Sequence, residues 1–114
     1  RTWVLGNGTQ NKPYIHVADL IDCILFIIKN SNSTFNEYNV APNETTTVKD
    51  IAELTSKFFG NDPQIIYEKQ VAGWKGDIAS YNYDTKKLNE LGWSLENTSY
   101  SAVQRTLEEI SDIN

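Results

Sequence analysis

The sequence between residues 6 and 20 limits the possible folds of this chain more than any other stretch. It opens with the turn Gly6-Asn7-Gly8, whose residue types tolerate positive φ and therefore end the apolar strand predicted over residues 2–5. Residues 14–16 predict a second short strand, and a helix is predicted to begin directly after it at Val17. A strand, a turn, a strand and a helix in this order favour a mixed α/β fold.

The first two helices are predicted from strong local signals. The second is predicted to start at the capping pair Thr47 and Asp50 and to stop at Gly60. The first has one wide apolar face, because apolar residues recur along it at helical spacing. These residues are Val17, Leu20, Ile21, Ile24, Leu25 and Ile28.

The remaining segments predict two more strands and two more helices. The strands are expected over residues 35–40 and 65–67, and the helices over residues 85–91 and from about Ser99. We therefore expect a single domain over residues 1–114, with a small, three-layer-like α/β arrangement. Its short sheet of about three strands is expected to be covered by about four helices.

The composition argues against several kinds of partner and location. A net charge of −5 disfavours wholesale binding to nucleic acid or to an anionic membrane. The apolar run over residues 24–28 is far too short to span a bilayer. The single cysteine, Cys23, is expected to be a buried small side chain, and a reducing cytoplasm is its expected setting. Because the chain has no methionine and begins with Arg1, truncation or processing is expected at its N-terminus.

Three downstream motifs add a further constraint: Gly73-Trp74-Lys75-Gly76-Asp77, Tyr83-Asp84-Thr85-Lys86-Lys87 and Leu91-Gly92-Trp93. Together with residues 6–20, their order and spacing resemble the substrate lobe of the extended short-chain dehydrogenase/reductase family, the nucleotide-sugar epimerases and dehydratases. The resemblance extends from Trp3 to about Ile110. It implies the C-terminal portion of an NAD-dependent enzyme similar to UDP-glucose 4-epimerase, whose N-terminal Rossmann domain is absent from this chain.

The resemblance gives two residues of the first stretch a role in substrate binding. Lys12 stands where the family usually has an arginine that grips the diphosphate of the nucleotide sugar. A lysine keeps the charge but acts as a point charge without the bidentate fork. Tyr14 stands where the family often has an aromatic beside the nucleotide. The alternatives are a solvated loop lysine and a strand tyrosine that packs against the helix.

The resemblance places a second group of substrate-binding residues in the Gly73–Asp77 loop. Trp74 occupies the position of a phosphate-binding arginine, which is a departure from the family. Either Lys75 supplies the missing charge, or Trp74 stacks on a base or a sugar face. Asp77 matches an aspartate that accepts from ribose hydroxyls, because a carboxylate offers two acceptors to a vicinal diol. The alternative for Asp77 is a turn aspartate after glycine.

No catalytic residue is assigned to the chain. The family binds NAD through a Gly-x-x-Gly-x-x-Gly loop on its Rossmann domain and transfers a proton with a Tyr-x-x-x-Lys pair. Tyr83 and Lys87 have that spacing, but they lie beside the terminal Asp-Thr-Lys element, so we interpret the match as coincidence. His16, the one histidine, is expected to be hydrogen-bonded at the start of the first helix, and a metal site has no support.

The leading hypothesis is therefore the nucleotide-sugar-binding part of a larger NAD-dependent epimerase or dehydratase, inactive as an isolated fragment. The missing N-terminal domain would carry NAD and would be its structural partner. Loss of that domain is expected to leave an apolar surface that promotes self-association. The alternative is a free-standing, non-catalytic α/β module that binds another protein.

Overall fold

The computed structural model of this chain describes residues 2–60, 64–70 and 83–113. Four helices lie in these ranges: α1 (Val17–Asn30), α2 (Val48–Phe58), α3 (Lys86–Leu91) and α4 (Ser99–Ile113). The same ranges contain four short strands: β1 (Thr2–Val4), β2 (Asn11–Lys12), β3 (Thr46–Thr47) and β4 (Ile65–Tyr67). The prediction of a small α/β fold with four helices and short sheets is confirmed.

The described strands form two separate pairs rather than one sheet. β1 and β4 are parallel, with Thr2 opposite Ile65 and Val4 opposite Tyr67. β2 and β3 are antiparallel, and Lys12 lies opposite Thr46. Because β3 leads directly into α2, the second pair fixes the segment that contains Lys12 beside the start of that helix.

The ends of α2 and α3 follow from their sequences. The hydroxyl of Thr47 accepts a hydrogen bond from the amide of Asp50 at 3.1 Å, which is the predicted cap of α2. Gly60 follows α2 with a φ of 71°. Gly92 ends α3 with a φ of 113°, a left-handed conformation that glycine adopts without steric cost. α3 begins one residue later than predicted, at Lys86.

Two predicted strands are wrong. Residues 14–16 are not a strand, because no described strand lies beside them to complete a ladder of hydrogen bonds. Residues 35–40 are also irregular. Side-chain bonds tie them to the α3 region instead: Lys87 Nζ donates to the carbonyl of Glu37 at 2.7 Å, and Asn39 Nδ2 donates to the carbonyl of Asp84 at 3.3 Å.

The described core is small. Six apolar side chains in it are less than about a tenth exposed: Val4, Cys23, Leu54, Leu88, Ala102 and Leu107. The Cα radius of gyration is 16.7 Å, whereas a compact domain of this length has about 13 Å. The chain is therefore extended for its length, and much of its apolar surface has no cover.

Among the described elements, helix α1 carries the largest group of exposed apolar side chains. Cys23 is its one fully buried residue, while five apolar side chains along one stripe are exposed. They are Val17, Ile21, Ile24, Leu25 and Ile28. Within the described residues, neither α1 nor another helix combines the length and apolar character that crossing a membrane requires.

Candidate ligand-binding cleft

The turn that follows β1 depends on glycine at two positions. Gly6 has a φ of 82° and Gly8 a φ of 83°. A Cβ on Gly8 would lie 2.8 Å from Cε1 of Tyr67 and 3.1 Å from Cβ of Lys49, so a side chain would collide there. This close approach holds the turn against β4 and the first turn of α2.

The buried side chain of Gln10 stabilises the same turn through hydrogen bonds. It accepts from the amide of Gly8 at 3.1 Å and donates to the carbonyl of Leu5 at 2.8 Å. The backbone carbonyl of Gln10 accepts from the amide of Val48 at 2.9 Å, at the start of α2. The chain therefore leaves the turn in a fixed direction and enters β2 at Asn11.

Lys12 and Tyr14, two of the predicted substrate-binding residues, line one cleft. The cleft has a volume of about 340 Å³. It brings Lys12 and Tyr14 to the same depression, beside Trp3, which is 65% exposed. The other lining residues are Val4, Leu5, Gln10 and Val48. The side chain of Tyr14 also borders an apolar cavity of about 250 Å³ between α2 and α4.

A buried serine holds the backbone of this segment, and the sequence analysis gave it no role. Ser99 is fully buried at the start of α4. Its Oγ accepts from the amide of Tyr14 at 2.9 Å, lies 3.4 Å from the carbonyl of Lys12 and lies 2.7 Å from Oγ1 of Thr46. No sequence pattern marks this contact, because serine at a helix start is ordinarily interpreted as a local cap.

His16 is hydrogen-bonded at the start of α1, as predicted. Its Nδ1 accepts from the amide of Ala18 at 3.0 Å and caps the helix. Because a backbone amide can only donate, Nε2 carries the ring hydrogen and donates to the Glu109 carboxylate, with Oε1 at 3.0 Å. Arg105 Nε lies 3.1 Å from the same oxygen. One ring nitrogen thus caps α1, and the other bonds α1 to α4.

Three predicted substrate-binding residues, Trp74, Lys75 and Asp77, lie outside the described residues. Their convergence on the cleft of Lys12 and Tyr14 stays a prediction.

The formal Tyr-x-x-x-Lys match has a structural explanation. The ammonium group of Lys87 donates to the carbonyl of Glu37 and lies 4.5 Å from the centroid of the Tyr38 ring. A lysine that binds a carbonyl and an aromatic face stabilises the irregular segment after α1. This favours the interpretation of the Tyr83 and Lys87 spacing as coincidence.

The glycine turn does not fit the pyrophosphate of a dinucleotide. The amide of Gly6 donates to Oε2 of Glu68 at 3.1 Å, and the amide of Gly8 donates to Oε1 of Gln10. A Rossmann loop instead offers free amides between a strand and a helix.

In the part of the chain that the structure describes, no group of three or more His, Cys, Asp or Glu side chains is placed to hold a metal ion.

Two further groups have perturbed acidities. Burial raises the pKa of the Cys23 thiol. Burial also raises the pKa of Tyr67, and the nearby carboxylates of Glu53 and Asp50 add to that increase. The Tyr67 hydroxyl is buried and has no hydrogen-bond partner among the described residues.

The fold is similar to one part of solved nucleotide-sugar epimerases. A crystal structure of a UDP-galactose 4-epimerase matches 97% of the chain with a TM-score of 0.79 and 28% identity, and the match covers 35% of that protein. The UDP-glucose 4-epimerase of Thermotoga maritima, solved with UDP-glucose, has the same fold, with a TM-score of 0.78 and 23% identity. This match covers 99% of the chain and 35% of that enzyme.

Sequence comparison agrees with the fold. The model of the NAD dependent epimerase/dehydratase family matches residues 2–41. A putative GDP-L-fucose synthase 2 from Arabidopsis thaliana is 27% identical over 92% of the chain, which spans 31% of that relative. Sequence and fold thus confirm the resemblance to the NAD dependent epimerase/dehydratase family. The chain spans about a third of the length of the relatives it matches.

Proposed function

We propose that the chain is the nucleotide-sugar-binding, C-terminal domain of an NAD-dependent epimerase or dehydratase, with a parent similar to UDP-glucose 4-epimerase. The observation that carries the proposal is that Lys12 and Tyr14 line one cleft. A cation and an aromatic ring at one depression suit a ligand that combines a diphosphate with a flat base or a sugar ring.

The relatives support a nucleoside diphosphate as the recognised group more strongly than any particular base. One relative is named for a GDP-sugar, and both solved structures are named for UDP-sugars. The diphosphate is common to all of these ligands. We therefore assign Lys12 to the diphosphate, Tyr14 to the nucleotide beside it, and the remaining contacts to Trp74, Lys75 and Asp77.

The apolar stripe of α1 supports the proposal that a further domain of the parent packs on this helix. The stripe runs the length of the helix, from Val17 to Ile28, which is 71% exposed. An exposed apolar surface of this kind marks an interaction site. We propose that the NAD-binding N-terminal domain of the parent covers it. In that parent, the present chain positions the sugar and the missing domain carries NAD and the catalytic pair.

The same stripe favours the second candidate function, a non-catalytic module that binds another protein. The two functions differ in their dependence on the nucleotide. Nucleotide binding requires the Lys12 cleft, whereas a protein-binding module requires only the α1 stripe. A ligand titration therefore separates them.

The test is an NMR titration of the full chain with UDP and, separately, with uridine. We expect weak, saturable shifts at Lys12 and Tyr14 with UDP, because only part of the parent's pocket is present. The variant Lys12→Ala should weaken UDP binding about tenfold, the effect of losing one charge-assisted hydrogen bond. It should leave the response to uridine unchanged, since uridine has no diphosphate.

Lys29→Ala is the matched control, because it removes the same charge from the exposed last turn of α1. It should bind UDP as the wild type does. Equal losses of UDP affinity in both variants would show that binding depends only on net charge. An unchanged UDP affinity in Lys12→Ala would rule out Lys12 as a diphosphate-binding residue. In the intact parent, Lys12→Ala and Asp77→Ala should each raise the KM for the nucleotide sugar.

A further inference from the structure

We infer that Ser99 is a positioning residue for the nucleotide diphosphate: its buried hydroxyl fixes the backbone from which Lys12 and Tyr14 enter the cleft. The inference rests on the proposed function and extends it to a residue that does not itself line the cleft. Its basis is the set of contacts that one fully buried side chain makes with three residues in two separate parts of the chain.

The contacts use the whole hydrogen-bonding capacity of a serine hydroxyl. A hydroxyl has one hydrogen and two lone pairs. Ser99 Oγ accepts from the amide of Tyr14 and donates to the carbonyl of Lys12. Because its one hydrogen is then used, Thr46 is the donor in the bond between the two hydroxyls. A buried group with every partner present holds its neighbours in one arrangement.

The two backbone groups that Ser99 binds lie on either side of Pro13. Proline has a fixed φ and lacks an amide hydrogen, so this stretch of backbone has few bonds available to hold it in place. A single oxygen atom on α4 supplies a bond to the residue before Pro13 and a bond to the residue after it. The direction in which the Lys12 and Tyr14 side chains leave the backbone is therefore set from α4.

Thr46 contacts the same segment. It is 1% exposed, pairs with Lys12 in the β2–β3 ladder and shares a hydrogen bond with Ser99. The Lys12 backbone is thus paired with a strand partner and also bonded to a side chain of α4. A lysine side chain is flexible, so its reach toward a phosphate depends on how well its backbone is fixed.

The test compares Ser99→Ala with Ser101→Ala in the full chain. Ser101 lies two residues further along α4, and its hydroxyl donates to the carbonyl of Thr98 without contacting the cleft segment. Both variants remove one hydroxyl from the first turn of α4. A second pair of variants changes the partner of Ser99: Thr46→Val removes the hydroxyl that bonds to Ser99, and Thr46→Ser keeps it. This pair tests the inference if Ser99→Ala does not fold.

The first measurement is hydrogen exchange at the Tyr14 amide, which needs no ligand. We expect exchange about two- to tenfold faster in Ser99→Ala, the range for loss of one hydrogen bond, and no change in Ser101→Ala. The second measurement is UDP affinity by NMR titration. Ser99→Ala and Thr46→Val should bind about three- to tenfold more weakly, while Thr46→Ser and Ser101→Ala stay within about twofold of the wild type.

Unchanged exchange and affinity in Ser99→Ala would overturn the inference, and so would equal losses in Ser101→Ala. Loss of thermal stability without a change in UDP affinity would also overturn it, because Ser99 would then be merely structural. If the wild type shows no saturable response to UDP, the proposed function fails. The positioning of the Lys12 backbone by Ser99 is still decided by the Tyr14 exchange rates.

Discussion

Nε2 of His16 lies 3.0 Å from Oε1 of Glu109, and this pair joins the start of α1 to the middle of α4. The histidine is 5% exposed, whereas the glutamate is half exposed. The imidazole therefore stabilises the fold in two ways: it caps α1 through Nδ1, and it bonds to α4 through Nε2.

Replacement of His16 by alanine should lower the free energy of unfolding by about 1–2 kcal/mol, because the Ala18 amide loses its cap. His16→Asn offers a carbonyl at the capping position and should recover most of that loss. Urea unfolding measures both values. Arg105→Ala is the control: it removes an exposed pair with Glu109 and should change stability by less than about 0.5 kcal/mol. Equal effects of the alanine and asparagine variants at position 16 would contradict the capping role.

Gly8→Ala should be the most damaging small substitution in the glycine turn that precedes β2. It combines a φ of 83° with a Cβ only 2.8 Å from the Tyr67 ring, so we expect a loss of about 2–4 kcal/mol. Gly60→Ala is a matched control, since its φ is 71° and nothing lies within 4 Å of its added Cβ. That variant should lose only about 1 kcal/mol. Similar losses by urea unfolding in both variants would show that crowding by Tyr67 contributes nothing.

Tyr67→Phe should be tolerated at neutral pH. The Tyr67 hydroxyl is buried and unpaired among the described residues, so its removal should raise the unfolding free energy by up to about 1 kcal/mol or leave it unchanged. The substitution should lower the free energy of unfolding only if the Tyr67 hydroxyl has a hydrogen-bond partner. A loss of more than about 1 kcal/mol in urea unfolding at pH 7 would demonstrate such a partner.

The same residue gives a pH dependence with a defined sign. Burial, with Glu53 and Asp50, raises the pKa of Tyr67 in the folded state, so folding favours the neutral phenol. The resulting stability is complete below the pKa of a free tyrosine, about 10, and is lost as the pH rises through the folded value. Unfolding free energies at pH 7, 9 and 10.5 should therefore fall less steeply in Tyr67→Phe than in the wild type. Parallel curves would contradict the assignment.

The uncovered face of α1 should make the isolated chain self-associate. Ile28 is the last residue of the apolar stripe and is 71% exposed. Ile28→Lys should therefore shift sedimentation toward the monomer. Ile113→Lys is the control, because Ile113 is 83% exposed but lies at the end of α4 and does not belong to the stripe. A wild-type chain that sediments strictly as a monomer would contradict the prediction.

The helices could be predicted from the sequence because their signals are local. The Thr47 cap and the apolar period after Val17 are contained within a few turns, and the structure follows both. Strands require a partner, which the sequence does not display. Residues 14–16 have strand composition but no described neighbour, whereas the two-residue strands at Asn11–Lys12 and Thr46–Thr47 have a neighbour and little strand composition.

For the candidate site, the sequence predicted two residues that the structure places together, and their role in binding stays a prediction. Lys12 and Tyr14 were chosen through the family resemblance, and the structure brings both to one cleft. Ser99 could not be found in this way, because its contacts join residues more than eighty positions apart. Hydrogen bonds of that kind follow from the packing of α4 on the β2–β3 pair, which only the folded chain defines.

The parallel pairing of β1 with β4 has a consequence for how the cleft assembles. Thr2 pairs with Ile65, and all of α1 and α2 lies between these two residues in the sequence. Closing this ladder therefore has a large entropic cost, and the pairing raises the contact order of the chain. The wall of the cleft formed by Trp3 and Val4 should consequently be completed late in refolding. Newly synthesised chains would then acquire their helices before they can hold a ligand.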